Sequence, residues 1–290
     1  MQNACKMSPV GAFCIALYAP LRTLASLAPP GETFRDPSIG TVRAITRSFH
    51  PINQMKMRHH AESRQGAGRD RNEDCVLIDE TCGVFAVADG LGGMPAGDLA
   101  SQTAVAAIRH SLEEEGCGVM DDMNRVVKHA HQAVAEKGRT AVGSTIATTL
   151  TLAHLEAGRL KIAHVGDSFA LLLRNGRGYF LTEKHTWEHT RENLLDLAPY
   201  SDDYRNALTQ ALGASIALPI DIAAVSVLAD DRLILATDGI SSVIPPVVLV
   251  DIVFRSKNPE QAVHALCRVA GELGGMDDMT AITIFIDSVS

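Results

Sequence analysis

The sequence has no excess of basic side chains. Its 290 residues include 26 Lys and Arg against 34 Asp and Glu, which gives a formal net charge of −8. A nucleic-acid-binding protein usually shows a basic excess or a basic stripe, so no nucleic-acid partner is expected. Hydrophobic residues make up 46% of the chain. This is enough to bury a substantial core in one large domain or two modest ones.

The sequence also has no closely spaced pair of cysteines. Its six cysteines are Cys5, Cys14, Cys75, Cys82, Cys117 and Cys267, and no two of them follow the Cys-x-x-Cys spacing. This excludes a zinc ribbon and a thioredoxin-type motif. Scattered thiols suit a reducing compartment better than a disulfide framework. We therefore expect free cysteines and a cytoplasmic location.

No apolar run is long and uninterrupted enough for a convincing membrane span. Residues 10–28 are apolar but are interrupted by Pro20 and Arg22, and their length is marginal for a bilayer. A signal peptide is an alternative for this segment, although Lys6 is the one early positive charge and no clear cleavage site follows. We expect residues 1–56 to be a poorly ordered N-terminal extension and residues 57–290 to be the folded domain. A membrane-attached regulator is a less favoured alternative.

The two common nucleotide-binding fingerprints are missing. A glycine-rich stretch begins at Gly90, but Pro95 stands where the third glycine of Gly-x-Gly-x-x-Gly would fall. The chain has no Gly-x-x-x-x-Gly-Lys-Ser/Thr motif either. Neither a dinucleotide site nor a P-loop is therefore predicted.

What the sequence does contain is a series of short apolar runs that end in an acid beside glycine. The clearest is Val84-Phe85-Ala86-Val87-Ala88, which leads into Asp89-Gly90-Leu91-Gly92-Gly93. Such runs read as buried strands, and their close spacing indicates antiparallel hairpins. We predict strands at residues 75–78, 83–88, 143–153, 160–165, 169–173, 222–228, 232–236 and 280–286. We predict helices at residues 98–115, 123–135, 245–254 and 259–273, with short helices and a mobile flap in residues 181–213.

The acids at these strand ends are candidate metal ligands. They are Asp89, Asp167, Asp238 and Asp277, with Glu73 and Asp74 just before a strand. Carboxylates gathered from distant parts of a chain would repel one another without a cation, and an all-oxygen set suits Mg²⁺ or Mn²⁺. The alternative is that each acid is a turn residue, which is the commonest role of Asp beside Gly.

The histidines give no comparable signal. His164 alternates with apolar residues and is interpreted as a satisfied sheet histidine. His185 and His189 have the spacing of a zinc helix, but no Glu follows His185, so we interpret them as a solvated helix face. Zinc is not expected.

Six motifs in order resemble one family. They are Arg69-x-x-Asn72-Glu73-Asp74, Ala88-Asp89-Gly90-Leu91-Gly92-Gly93, Gly143-Ser144-Thr145, Gly166-Asp167-Ser168, Thr237-Asp238-Gly239 and Asp277-Asp278-Met279-Thr280. Over residues 57–288 the chain looks like a bacterial form of the metal-dependent Ser/Thr protein phosphatases, type 2C or PPM. The resemblance implies an α+β fold: a four-layer α-β-β-α sandwich of two antiparallel sheets flanked by helix pairs.

The resemblance also implies roles for these residues. Asp89 would bridge two core Mn²⁺ or Mg²⁺ ions, and the Gly90 carbonyl would hold one of them. The remaining ligands would be Glu73, Asp238 and Asp277, with Asp74 ordering metal-bound waters and Asp167 joining Asp238 at a third, weaker ion. Arg69 would bind the substrate phosphate, since its planar fork matches phosphate geometry.

The implied activity is hydrolysis of phosphoserine and phosphothreonine in proteins by a metal-activated water. The substrates would be proteins phosphorylated by a Ser/Thr kinase. The alternative is a catalytically weak, phosphatase-like regulatory binding module, although no motif acid and no arginine is lost. Three residues depart from the family pattern: Leu91 replaces a histidine of some relatives, Phe169 an arginine and Asp278 the usual asparagine.

Overall fold

A computed structural model describes residues 55–92, 94, 96–192, 206–214 and 218–289. Almost all of the expected N-terminal extension lies outside the described residues, as do residues 193–205 of the expected flap. The first strand begins at Lys56, one residue before the predicted start of the folded domain. Among the described residues, no helix has the length and apolar character needed to cross a bilayer.

The described residues form two five-stranded sheets in which every adjacent pair of strands is antiparallel. The first sheet contains, in spatial order, β1 (Lys56–Arg64), β10 (Met279–Ser288), β9 (Arg232–Ala236), β6 (Phe169–Arg174) and β7 (Arg177–Phe180). The second sheet contains β2 (Asp74–Asp79), β3 (Val84–Asp89), β4 (Leu150–Glu156), β5 (Arg159–Val165) and β8 (Asp221–Ser226).

Helices cover the outer face of each sheet. The α-helices among the described residues are α1 (Gly97–Glu115), α2 (Met123–Lys137), α3 (Trp187–Glu192), α4 (Asp238–Ser241), α5 (Pro246–Arg255) and α6 (Pro259–Glu272). Local sequence sets several of their starts. Asp122 accepts a hydrogen bond from the backbone N–H of Arg125 at the start of α2, and Asn258 caps α6 in the same way. Proline occupies the first turn of α5 and of α6.

Three apolar clusters hold the layers together. Ile108 and Val127 pack from α1 and α2 onto the second sheet, and residues of α5 and α6 pack onto the first sheet. A third cluster, which includes Phe85 and Leu172, lies between the two sheets. Complete burial of one such large side chain contributes about 1.5–3 kcal/mol. The predicted four-layer sandwich of two antiparallel sheets between helices is confirmed.

The sandwich explains the continuous apolar run of β3. Residues 84–88 are all buried, because the first sheet covers one face of the strand and α1 covers the other. A strand covered on both faces does not alternate between apolar and polar residues. Such a strand holds its terminal acid at a well-defined place.

Several predictions about single elements are wrong. Residues 143–149 were expected in a strand, but β4 begins only at Leu150. Strands β1 and β7 and the short helix α4 were not predicted. The expectation of free cysteines fails at one pair, because a disulfide joins Cys82 in the β2–β3 turn to Cys117 just after α1.

Candidate active site

One end of the β2–β3 hairpin brings four of the predicted site residues together. Asp74 at the start of β2 lies directly opposite Asp89 at the end of β3. The backbone N–H of Gly90 donates to the carbonyl of Glu73 at 3.1 Å. A side chain at Gly90 would collide with the first residue of α1, Gly97. Glycine is therefore required where the helix packs against the hairpin.

Two further acids of the site come from segments next to strands of the first sheet. Asp238 is the first residue of α4 and follows β9, and Asp277 lies just before β10. Thr237 joins the two sheets here, because its hydroxyl donates to a carboxylate oxygen of Asp74 at 2.9 Å. Asp238 also lies near Asp89, because its charge raises the pKa of the Asp89 carboxyl group.

The sixth acid, Asp167, lies in the connection that takes the chain from β5 in the second sheet to β6 in the first. A chain of hydrogen bonds links this connection to Asp89. The hydroxyls of Ser168 and Thr149 lie 2.8 Å apart, and the Thr149 hydroxyl accepts from the backbone N–H of Asp89 at 3.0 Å. The backbone of Asp89 and the Asp167 turn are therefore held by the same threonine.

The electrostatics of these acids indicate that a cation belongs among them. Burial raises the pKa of Asp74 and of Asp167 to about 7 in each case, with neighbouring acids adding to the shift. The pKa of Asp89 lies well above its ordinary value, first through burial and then through the charges of Asp74, Asp238, Asp167 and Asp277. Buried carboxylates that raise one another's pKa stay ionised only beside a positive charge.

Two further observations test whether Mg²⁺ or Mn²⁺ fits. The Oδ1 atom of Asp74 is buried and makes no hydrogen bond, so it is an oxygen without a partner. The side chains that crowd Asp89 electrostatically are all carboxylates, and oxygen donors suit these hard cations. The donor set therefore fits. Within the described residues, however, no three Asp, Glu, His or Cys side chains are already gathered closely enough to enclose an ion.

One of these acids is held by Arg69 and not by the other acids. The Nε and Nη2 atoms of Arg69 donate to the two oxygens of Asp277, each at 2.7 Å. The sequence predicted Arg69 as a phosphate ligand, whereas the structure pairs it with a predicted metal ligand. The guanidinium also packs against Gly92 in the glycine-rich turn. Arg69 therefore lies beside the acids, and Asp277 raises its pKa further.

Several residues that support the site were not predicted as functional. Asp278 accepts from the backbone N–H groups of Gly66 and Glu73 at 2.9 and 2.8 Å. Its departure from the usual asparagine was the available sequence signal. His185 was predicted on a solvated helix face, but it is buried, precedes α3 and bonds to Gly166. His164 is the satisfied sheet histidine that was expected, with Thr151 as a partner.

Comparison with known proteins agrees with the fold. A family model described as Protein phosphatase 2C matches residues 63–275. The chain belongs to the protein phosphatase 2C family. The predicted membership of this family and the predicted α+β fold are thereby confirmed.

The relatives of this phosphatase 2C chain include bacterial enzymes. The serine/threonine protein phosphatase PstP of Mycobacterium tuberculosis is 29% identical over 231 residues, which is 78% of this chain but 44% of PstP. The serine/threonine phosphatase stp of Listeria welshimeri is 25% identical over 241 residues, covering 79% of this chain and 91% of stp.

Solved structures extend the similarity to three dimensions. The crystal structure of the Mycobacterium tuberculosis PstP phosphatase matches with a TM-score of 0.71 and 27% identity, over 80% of this chain and 99% of that one. The catalytic domain of PstP in complex with two manganese ions matches with a TM-score of 0.70 and the same identity and coverage. Manganese bound to this relative agrees with the predicted cofactor of the phosphatase 2C chain.

Proposed function

We propose that the protein hydrolyses phosphoserine and phosphothreonine in protein substrates with a water activated by Mn²⁺ or Mg²⁺. The observation that carries the proposal is the group of buried acids around Asp89, which come from both sheets and raise one another's pKa. A metal-dependent hydrolase has a use for such a group, whereas a structural core does not. Membership of the phosphatase 2C family supports the same reaction.

Each predicted site residue keeps a proposed role. Asp89 and the Gly90 carbonyl would hold the core ions, with Glu73, Asp238 and Asp277 as further ligands. Asp74 would order the water shell, and Asp167 with Asp238 would hold a third ion. Bound Mg²⁺ or Mn²⁺ supplies Lewis acidity, which lowers the pKa of water and offsets phosphoryl charge.

The chain's own contribution to phosphate binding rests on Arg69. Its guanidinium presents a planar fork of N–H donors, and this fork now engages both oxygens of Asp277. The same fork fits two oxygens of a phosphoryl group, so we propose that Arg69 exchanges one partner for the other when substrate binds. Leu91 cannot donate a proton to the leaving group, and this task would fall to water.

The substrates, location and domain limits are also proposals. We propose that the substrates are proteins phosphorylated by a Ser/Thr kinase, as the names of the relatives support. Residues 57–290 would carry the activity, and a chain starting at residue 55 should keep most of it. A cytoplasmic location stays a prediction, against which the Cys82–Cys117 disulfide weighs.

A phosphopeptide assay tests the function. The protein should release phosphate from a phosphothreonine peptide when Mn²⁺ or Mg²⁺ is supplied and should stop when excess EDTA is added. Arg69→Ala should raise KM, and Asp287→Ala, which changes an acid on the exposed end of β10, serves as the matched control. Full activity in EDTA would exclude the metal-dependent reaction. Binding of Mn²⁺ and phosphopeptide without turnover would favour the regulatory binding module.

A further inference from the structure

The turn that carries Asp167 is held in place by its backbone conformation and by close packing. Gly166 has φ of +115°, which is a conformation that favours glycine. A Cβ atom at this position would lie 2.6 Å from the side chain of Thr149. The backbone before Asp167 is therefore fixed in shape and packed against β4.

His185 binds this backbone through two hydrogen bonds. Its own backbone N–H donates to the Gly166 carbonyl at 2.7 Å, and the Gly166 N–H donates to the Nδ1 atom of the ring at 3.1 Å. Because Nδ1 accepts, the ring hydrogen of the neutral imidazole lies on Nε2. Nε2 lies 3.1 Å from a carboxylate oxygen of Asp221, at the start of β8, so Asp221 orients the ring.

A second histidine, His164, also binds the Gly166 backbone. Its Nε2 atom lies 3.1 Å from the Gly166 carbonyl and 3.0 Å from the Glu183 carbonyl. Both are acceptors, so Nε2 carries the hydrogen. Burial lowers the pKa of His164 to about 3, which keeps this ring neutral. The rings of His164 and His185 lie 4.9 Å apart, and Gly166 is bonded to both.

His185 also connects the turn to Asp89 by a second route. Its carbonyl accepts from the backbone N–H of Thr209 at 2.9 Å. A few residues further on, Leu212 exchanges two backbone hydrogen bonds with Thr148. The Thr148 hydroxyl then donates to the carbonyl of Asp89 at 2.8 Å. The backbone at His185 therefore lies on a path of hydrogen bonds that runs from the Asp167 turn to Asp89.

We propose that His185, oriented by Asp221, is a positioning residue that holds the Asp167 carboxylate in place for the weakest divalent cation site. The proposal rests on the proposed function, in which Asp167 is a ligand of that site. Residues that orient a metal ligand typically change metal affinity by about 10- to 100-fold when they are lost. We expect His185→Leu to weaken the weakest Mn²⁺ site by at least about tenfold, while the tight sites keep their affinity.

The test is calorimetric titration of the full-length chain with Mn²⁺, with thermal unfolding and peptide kinetics measured on the same samples. His185→Asn should restore most of the affinity, because an amide oxygen can accept from the Gly166 N–H in place of Nδ1. His154→Leu is the matched control, since His154 is a buried histidine of β4 outside this network. It should leave all Mn²⁺ affinities unchanged.

A double-mutant cycle separates positioning from general stability. If His185 acts through Asp167, His185→Leu should cost the weakest site nothing further in an Asp167→Ala background. Should His185→Leu fail to fold, Asp221→Ala removes the orienting partner and should weaken the same site to a smaller extent. An additive cycle, unchanged Mn²⁺ affinities, or a wild-type titration with no site weaker than the tight ones would each overturn the proposal. A wild-type protein that binds Mn²⁺ at every site but does not hydrolyse the peptide would instead count against the proposed function.

Discussion

Asp278 offers a sharp test of how the loop before β2 is built. It is 2% exposed, and its two oxygens accept from the backbone N–H groups of Gly66 and Glu73. These two groups lie at the ends of the segment that carries Arg69. A single carboxylate therefore fixes both ends of the segment that presents Arg69 and Glu73 to the site.

The perturbation is Asp278→Asn, which keeps the shape of the side chain and installs the residue usual in the family. An amide has one acceptor oxygen, so its NH₂ group would face one of the two backbone N–H donors. A hydrogen bond to a charged group contributes about 1.5–3 kcal/mol. Removing the charge relieves some repulsion of Glu73, but this is the smallest of the causes acting on the Glu73 pKa. We expect a net loss of about 2 kcal/mol.

The assay is thermal unfolding, combined with kinetics on a phosphothreonine peptide. A loss of about 2 kcal/mol should lower the melting temperature by about 4–8 °C in a domain of this size, and KM should rise because Arg69 is less well held. Asp287→Asn, which changes a residue of the following strand β10 that forms an exposed ion pair with Arg58, should cost no more than about 1 kcal/mol. Equal shifts for the two variants, or a more stable Asp278→Asn protein, would refute the reasoning.

Three further predictions concern the acids and the disulfide. Asp89→Asn should reduce Mn²⁺-dependent turnover by several orders of magnitude in the peptide assay, because it removes charge from the acid whose pKa four other acids raise; near-normal turnover would contradict its central role. The pKa of Asp74 is raised from 3.8 to about 7 in the folded protein. Protonation of Asp74 therefore contributes stability that is present below pH 3.8 and lost as the pH rises towards 7. In EDTA, calorimetry should therefore show wild-type stability falling relative to Asp74→Asn between pH 5 and 8, and saturating Mn²⁺ should remove the difference; a constant difference in EDTA would argue against a buried, ionisable Asp74. Reducing the Cys82–Cys117 disulfide, whose cysteines are 35 residues apart, should lower the free energy of unfolding by about 3–4 kcal/mol in urea titrations; an unchanged midpoint would show that the bond adds nothing.

The sequence predicted the central strands well because burial on both faces leaves a continuous apolar run, as in β3. It failed at β1, an edge strand whose exposed positions carry charged residues and His60, so that the alternation is easily read as a polar terminus. It also failed for His185, because a spacing of four to His189 looks helical, although α3 begins only at Trp187.

The acids of the site could be predicted because each follows or precedes an apolar strand beside a turn. Their partners could not. Arg69 binds Asp277, and Cys82 pairs with Cys117. Both contacts depend on which segments meet when the sheets stack. Sequence separations of 208 and 35 residues carry no local signal of such contacts.

The acids around Asp89 belong to both sheets, and this has a mechanical consequence. Asp74 and Asp89 move with the second sheet, whereas Asp238 moves with the first. Any sliding of one sheet over the other changes the separation of these oxygens directly. Side chains of the inter-sheet core such as Phe85 and Leu172 therefore act as the spacer that sets the distance between the acids of the two sheets. Substitutions in this core should therefore change the separation of the acids while every acid stays the same.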